Sequence, residues 1–305
     1  MTLLFHQGAL GDWVLTFPIM RALSGRIMAV SSWSKACLAA KLIDNVEPFN
    51  IEMREFTRLH AGDGPAALGP AVRELLEQAT RIMSFVSDGD DAWARNVRRL
   101  APRAKTFYVS PRPSADWPGH VSAWHRDRLE RQGLSVQPVM QASHCNAGGH
   151  VLIHPGSGGR DKCWPLERYA LLAQALTRAG SEVGMILGEV EVQTWPSDTL
   201  HKLKIEHRVR IVQSLEDLRV DLDAAALFVG NDSGPTHLAA EMGLPTVALF
   251  GPSCSRRWAP LGPLVSILAP TEPQPMAWLE VDEVVEACLA MRKRAELDTL
   301  DTQII

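Results

Sequence analysis

Residues 231–251 read NDSGPTHLAAEMGLPTVALFG and follow the apolar stretch Leu227-Phe228-Val229. An apolar strand runs into a turn of Asn, Asp, Ser, Gly and Pro, then into a helix over Thr236–Met242. Thr246–Phe250 is again a continuous apolar strand. A strand without polar alternation has both faces covered, which is the mark of a parallel sheet between two layers of helices.

The same rhythm extends outward in both directions. Upstream lie strands Val151–His154, Val183–Leu187 and Val209–Val212, alternating with helices Leu166–Ala179, Val192–Leu203 and Leu215–Leu222; downstream is a helix over Val281–Arg294. The first half repeats it with strands Leu3–His6, Arg26–Ser31, Ile82–Val86 and Thr106–Val109. Its helices are Trp13–Leu23, Lys35–Ile43, Ala66–Thr80 and Trp93–Leu100, with a charged helix around Ala123–Arg131. Pro18 bends the first of these or moves its start. The segment Gly133–Gly149, with Pro138, Asn146, Gly148 and Gly149, reads as a linker, and Leu297–Ile305 has no clear pattern. The prediction is an α/β chain of two doubly wound domains, 1–147 and 148–305, facing each other across a central cleft.

Composition narrows the function. Among 305 residues, Lys and Arg number 31 against 35 Asp and Glu, so the net charge of -4 offers no basic excess for a nucleic-acid backbone. No apolar run reaches the length of a membrane span, and the start Met1-Thr2-Leu3-Leu4-Phe5 lacks the basic region of a signal peptide. Cys37, Cys145, Cys163, Cys254 and Cys288 are odd in number, widely spaced and without a CxxC pair, which fits reduced thiols of a cytoplasmic protein. The ten histidines show no metal-ligand spacing, and neither GxSxG nor HExxH occurs.

Four segments at strand ends carry candidate chemistry. Gly8-Ala9-Leu10-Gly11-Asp12 allows a tight turn beside a ligand, with Asp12 either a functional carboxylate or a helix cap; its spacing is not the dinucleotide GxGxxG. His154-Pro155-Gly156-Ser157-Gly158-Gly159-Arg160-Asp161-Lys162-Cys163-Trp164-Pro165 is a glycine-rich loop, but no Ser or Thr follows Lys162 as a phosphate-binding P-loop requires. Lys162 either meets a phosphate as a point charge or is a solvated loop lysine. At Asp232-Ser233-Gly234-Pro235-Thr236-His237 the backbone N–H groups of a helix start favour an anion, with Ser233 and Thr236 as hydroxyl donors; the alternative is a helix capped by Asp232 or Ser233. In Gly188-Glu189-Val190-Glu191 one carboxylate is placed for a ribose diol, and Glu189 and Glu191 compete for that role. Trp164, Trp195 and Trp258 either stack on a base or sugar or pack the core.

NDSGPTHLAAEMGLPTVALFG, HPGSGGRDKCWP and GALGD together resemble the family 9 glycosyltransferases, the ADP-heptose:lipopolysaccharide heptosyltransferase-like enzymes. The resemblance covers 151–262 and 1–23 well and 34–150 weakly. It implies a GT-B fold and a nucleotide-sugar donor, ADP-linked, held by the C-terminal domain. It also implies inversion without an obligatory metal and no cofactor. By that resemblance Asp12 is the general base and Lys162 contacts donor phosphate. Gly11, Ser157, Glu191, Asp232, Ser233, Gly234, Pro235, Thr236 and His237 fall on the donor side, with Glu191 at the ribose and Asp232 at the sugar. The implied acceptor is a glycan or glycolipid, such as lipopolysaccharide core, at the inner face of the cytoplasmic membrane. Arg54, Arg58 and Arg112 are its candidate contacts. A monomer is the simplest state, and helix 281–294 is expected to pack back on the N-terminal domain. His6 departs from the pattern, because heptosyltransferases often carry Lys or Arg there. Two rivals stand beside this reading: a catalytically silent sugar-nucleotide-binding protein of the same fold, and a sugar-nucleotide epimerase.

Overall fold

The computed structural model describes residues 1–60, 68–144, 146 and 149–302, with the backbone alone at 54, 55 and 299–302. Cys145, Gly148, the Arg54 side chain, the start of the helix expected at Ala66 and the last residues of the tail lie outside the described residues. The chain divides into two compact units, Met1–Val139 and Met140–Ile305.

The N-terminal unit runs β1 (Thr2–Phe5), α1 (Leu10–Val14), α2 (Phe17–Ala22), β2 (Ile27–Ser31), α3 (Trp33–Leu42), β3 (Val46–Asn50), α4 (Arg54–Leu59), α5 (Pro70–Glu77), β4 (Arg81–Ser84), α6 (Ala92–Leu100), β5 (Lys105–Tyr108) and α7 (Val121–Arg131). Its five strands are all parallel in the order β3-β2-β1-β4-β5. The helix expected over 13–23 is two short ones, because Pro18 occupies the first turn of α2, where its missing N–H costs nothing. β3 contains Pro48 and was not expected; as an edge strand it tolerates a residue without an N–H. β1 is wholly buried, and Phe5 meets Phe56 and Trp93 edge-on at 5.7 and 5.1 Å between ring centres. Truncating such a ring costs about 3–5 kcal/mol.

The C-terminal unit runs β6 (His150–His154), α8 (Leu166–Arg178), β7 (Val183–Leu187), α9 (Glu189–Thr194), α10 (Ser197–Glu206), β8 (Val209–Ile211), α11 (Leu215–Asp223), β9 (Ala225–Asn231), α12 (Gly234–Glu241), β10 (Thr246–Leu249), α13 (Ser255–Trp258), β11 (Val265–Leu268) and α14 (Val281–Thr302). Six parallel strands lie in the order β11-β10-β9-β6-β7-β8. The helix expected over 192–203 is broken at Trp195-Pro196, since Pro196 cannot donate into a continuing helix and instead precedes α10. α14 extends beyond the expected Arg294 and packs on α8, β9, β10 and β11 of its own unit. Among the described residues no helix is long and apolar enough to cross a membrane.

In each unit the first strand is central, and the chain leaves it in one direction before returning to build the other half of the sheet. The order reverses between β1 and β4 and again between β6 and β9. Ligands of such sheets bind at these switch points, beyond the carboxyl ends of the strands.

Candidate functional site

In the C-terminal unit the loops after β6 and β9 meet at the switch point, and Asn231 joins them. Its side chain, wholly buried, donates to Pro155 O (2.9 Å) and Gly156 O (3.1 Å). Its Oδ1 accepts from the Trp164 backbone N–H (3.0 Å) and the Tyr169 hydroxyl (2.9 Å). Ser157 Oγ adds a bond to Asp232 O at 2.9 Å. A buried amide with all four contacts satisfied is rigid, because any displacement strands polar groups away from water.

On this frame sits a charged cluster. Lys162, in a 3₁₀ turn over Arg160–Lys162, places Nζ 2.8 Å from Asp232 Oδ2, and His237 Nε2 lies 3.6 Å from Oδ1. Burial pushes the Asp232 carboxyl up, but His237 and Lys162 more than offset it and hold it at about 2. The carboxylate is therefore ionised at working pH. Lys162 retains 38% side-chain exposure, so its remaining N–H donors reach an incoming anion. Asp232, at 8%, is largely enclosed.

The helix start of α12 offers fewer donors than its sequence promised. Thr236 Oγ1 spends its hydrogen on Asn231 O (2.5 Å), which makes Ser233 the donor in the 3.0 Å Ser233–Thr236 pair. Both hydroxyl hydrogens are thus used internally. Pro235 has no N–H, and that of His237 bonds Ser233 O. The N–H groups of Ser233, Gly234 and Thr236 are left without a carbonyl one turn earlier, and they carry the positive end of the helix dipole.

Glu191 is buried, not presented. Its Oε2 accepts from the Gly188 N–H at 2.8 Å, closing the first turn of α9, and lies 3.6 Å from His154 Nε2. Burial pushes its carboxyl up, but His154 and the Gly188 N–H outweigh that and leave it below its ordinary value. A Cβ on Gly156 would stand 1.9 Å from Glu191 Oε1, so this glycine is required for the loop to lie on the carboxylate. Glu189 is exposed and accepts from Gln193 at 2.7 Å. Trp164 packs edge-on against Tyr169 and ties its indole N–H to Leu279 O, so it is a core residue. Trp195 lines an apolar cavity of about 300 Å³ with Pro155, Cys163, Pro165 and Pro196. A larger open groove of about 800 Å³ lies at the amino ends of the strands, lined by Arg178, Val183 and Arg208, away from these loops.

In the N-terminal unit the glycine loop follows β1 at the other switch point. Gly11 and Asp12 fall in the first turn of α1, both half-buried. Asp12 rests on Gly8: a Cβ there would be 3.1 Å from Asp12 Oδ2 and 2.8 Å from His6 Cε1. His6 is buried, with Nδ1 accepting from the Gly8 N–H at 3.2 Å. Burial, then Lys35 and His125, lower its pKa to about 3, so it is neutral. Arg58 and Arg112 are exposed.

The structure brings Ser157, Lys162, Asp232, Ser233, Gly234, Pro235, Thr236 and His237 together at one switch point, with Glu191 beneath the same loop. Sequence reading assigned no role to Asn231, His154 or Gly156. Their signal was weak: polar residues and a glycine beside apolar strands, where loop and core look alike.

Comparison with known proteins agrees with this architecture. The chain is 32% identical over 115 residues to lipopolysaccharide heptosyltransferase 1 of Campylobacter coli, covering 35% of this chain and 33% of that protein. The chain spans a third to a half of the curated relatives it matches first, 33% and 51% of their lengths. Among solved structures it resembles the glycosyl transferase family 9 protein from Veillonella parvula DSM 2008, with a TM-score of 0.71 at 16% identity over 96% of this chain and 97% of that one. It also resembles E. coli heptosyltransferase WaaC with ADP, with a TM-score of 0.70 at 17% identity over 95% and 99%. Two Rossmann-like parallel sheets of the GT-B type are thus its fold. The family model for glycosyltransferase family 9 (heptosyltransferase) matches residues 126–283, which take in the whole charged cluster, and the chain belongs to that family.

Proposed function

We propose that the protein transfers a heptose from an ADP-linked donor to a glycan acceptor of the lipopolysaccharide-core type, with inversion at the anomeric carbon and without a metal. The reaction takes place in the cytoplasm, with a glycolipid acceptor at the inner face of the membrane. The observation that carries the reading is the Lys162–Asp232–His237 cluster at the start of α12, beneath a glycine-rich loop, in a chain of this family.

The C-terminal unit holds the donor. Its diphosphate takes the N–H groups of Ser233, Gly234 and Thr236 and the spare donors of Lys162. Asp232, fixed by Lys162 and His237, accepts from a sugar hydroxyl. Glu191, enclosed against Gly156, shapes the loop, and the ribose meets the backbone above it. Asp12 of the N-terminal unit takes the proton of the acceptor hydroxyl. That oxygen bonds to the anomeric carbon as the bond to the β-phosphate oxygen breaks, and ADP leaves with the electron pair. Negative charge grows on the leaving diphosphate, and preorganised donors at that point are worth about 3–4 kcal/mol each. The base adds about 10²–10⁴-fold.

The test is transfer from ADP-heptose to lipopolysaccharide-core acceptors, followed by mass spectrometry and by NMR of the new anomeric linkage. Wild type is expected to form an inverted product, and D12N none. Turnover of D12N at the wild-type rate contradicts the base assignment. ADP binding by a wild type that transfers to no acceptor supports the silent sugar-nucleotide binder instead.

A further inference from the structure

Lys35 is the residue of the N-terminal unit that the mechanism above leaves unused. It lies in the first turn of α3, after β2, yet its side chain crosses to the loop after β1. Nζ donates to Gly8 O at 2.7 Å, and the Lys35 carbonyl accepts from the Trp13 indole N–H at 2.9 Å. The other face of the same loop is held by His6, whose Nδ1 accepts the Gly8 N–H at 3.2 Å. Gly8 is therefore gripped through both its N–H and its carbonyl, by two side chains from different strands' ends. The residue after Asp12, Trp13, is bonded to the same lysine.

Gly8 is also the floor under Asp12, since the space of a Cβ there is bounded by Asp12 Oδ2 at 3.1 Å and Asp12 Cβ at 3.2 Å. Whatever fixes Gly8 fixes the height of that carboxylate. Lys35 is half-buried, and burial lowers its pKa while the attraction of Glu52 and Asp12 raises it. A desolvated ammonium with one bond to a carbonyl and a carboxylate nearby is held firmly in place. His6 is neutral and brings no charge to the loop, so Lys35 supplies a cation there from another element.

We propose that Lys35 is a positioning residue for Asp12: by clamping the Gly8 carbonyl with its ammonium, while its main-chain carbonyl anchors the Trp13 indole whatever the side chain, it holds the loop at the height at which the carboxylate reaches the acceptor hydroxyl. The proposal rests on the assignment of Asp12 as the base. It deepens that assignment by naming what orients the base. A misplacement near 1 Å costs about 10²-fold in rate.

The experiment pairs K35M and K35R with two readouts. Hydrogen exchange by mass spectrometry follows peptides covering residues 6–14. K35M is expected to speed exchange there about tenfold or more, with β6–α12 unchanged, and K35R is expected to restore protection. In steady-state transfer, K35M is expected to lose about 30- to 100-fold in kcat with the donor KM unchanged, and K35R to recover most of it. Unchanged exchange in K35M overturns the proposal whether or not transfer occurs. Loosened exchange with a wild-type kcat also overturns it, and so does a loss shared between kcat and donor binding. If wild type transfers from no donor, the functional reading fails by itself, and the exchange data alone decide whether Lys35 clamps the loop.

Discussion

The loop after β1 and the loop after β6 occupy equivalent places, each at the end of a central strand where strand order reverses, yet they are built from opposite electrostatics. The loop of the C-terminal unit is locked on an ionised carboxylate. Asp232 is gripped by Lys162 and His237, and the backbone around it is pinned by Asn231. The loop of the N-terminal unit leans on a buried neutral imidazole, with a single lysine bond to Gly8 O. One topology thus supplies both a loop pinned by a buried amide and an ion pair and a loop gripped at a single glycine, Gly8. Placement comes from the fold, and role comes from the side chains that grip each loop.

The same substitution in each loop separates the roles most sharply. G156A drives a Cβ to 1.9 Å from Glu191 Oε1 and 2.7 Å from its Cγ, so the loop after β6 or the buried Glu191 side chain must move. ADP affinity, read by calorimetry, is expected to fall more than about 10²-fold, the scale of a lost oxyanion-type contact. G8A crowds His6 Cε1 at 2.8 Å and Asp12 Oδ2 at 3.1 Å. Transfer is expected to fall about 10²-fold while ADP affinity holds. Equal effects of the two on ADP binding dissolve the division between the loops.

Next in size is Asn231. N231A leaves Trp164 N–H, Tyr169 OH and two carbonyls without partners. A loss of about 2–4 kcal/mol is expected in denaturant melts of the C-terminal unit, at 1–3 kcal/mol per stranded buried group partly relieved by water. A change below about 0.5 kcal/mol contradicts the clasp.

Acid distinguishes the units by a margin of the same order. His6 and His125, held near 3 and 4 by burial, stay neutral in the native state but bind protons near 6.5 when unfolded. The unfolded state thus takes up more protons below pH 6.5, and native stability falls as pH drops from there towards 4. At pH 5 the loss is about 2 kcal/mol for each histidine. Asp232 has the same slope in a lower window, its share present above its ordinary 3.8 and lost only as pH falls towards 2. Hydrogen exchange at pH 7.5 and 5 is expected to show the N-terminal unit loosening first. Equal loosening of both units refutes that order.

The smallest effect belongs to Glu189. Exposed and bonded to Gln193, it is expected to leave ADP affinity within about twofold as E189Q.

The alternation of apolar strands and helices was legible because both sheets are parallel and buried on two faces, so central strands such as β1, β7 and β9 read as unbroken apolar runs. The strands that escaped notice, β3 and β11, are half-exposed edges, where Pro48 and short length blur the pattern. The site was legible as far as loop composition goes: glycines, Lys162 and Asp232 announce an anion-binding turn. Which polar atoms face inward was not legible. Thr236 and Ser233 spend their hydrogens on the turn itself, and Glu191 accepts the Gly188 N–H of its own first helical turn, details of side-chain rotamer that residue type and spacing do not fix. Lys35 gave no signal, since nothing in the sequence shows that a lysine of α3 reaches across to the loop after β1.

The most direct measurement is an ADP titration, by calorimetry, of wild type, K162M and D12N, each first shown to melt as a folded protein. The account predicts that K162M loses at least about tenfold in affinity while D12N binds ADP within twofold of wild type and forms no product from ADP-heptose. Undiminished binding by K162M, or a loss in D12N equal to that of K162M, contradicts it.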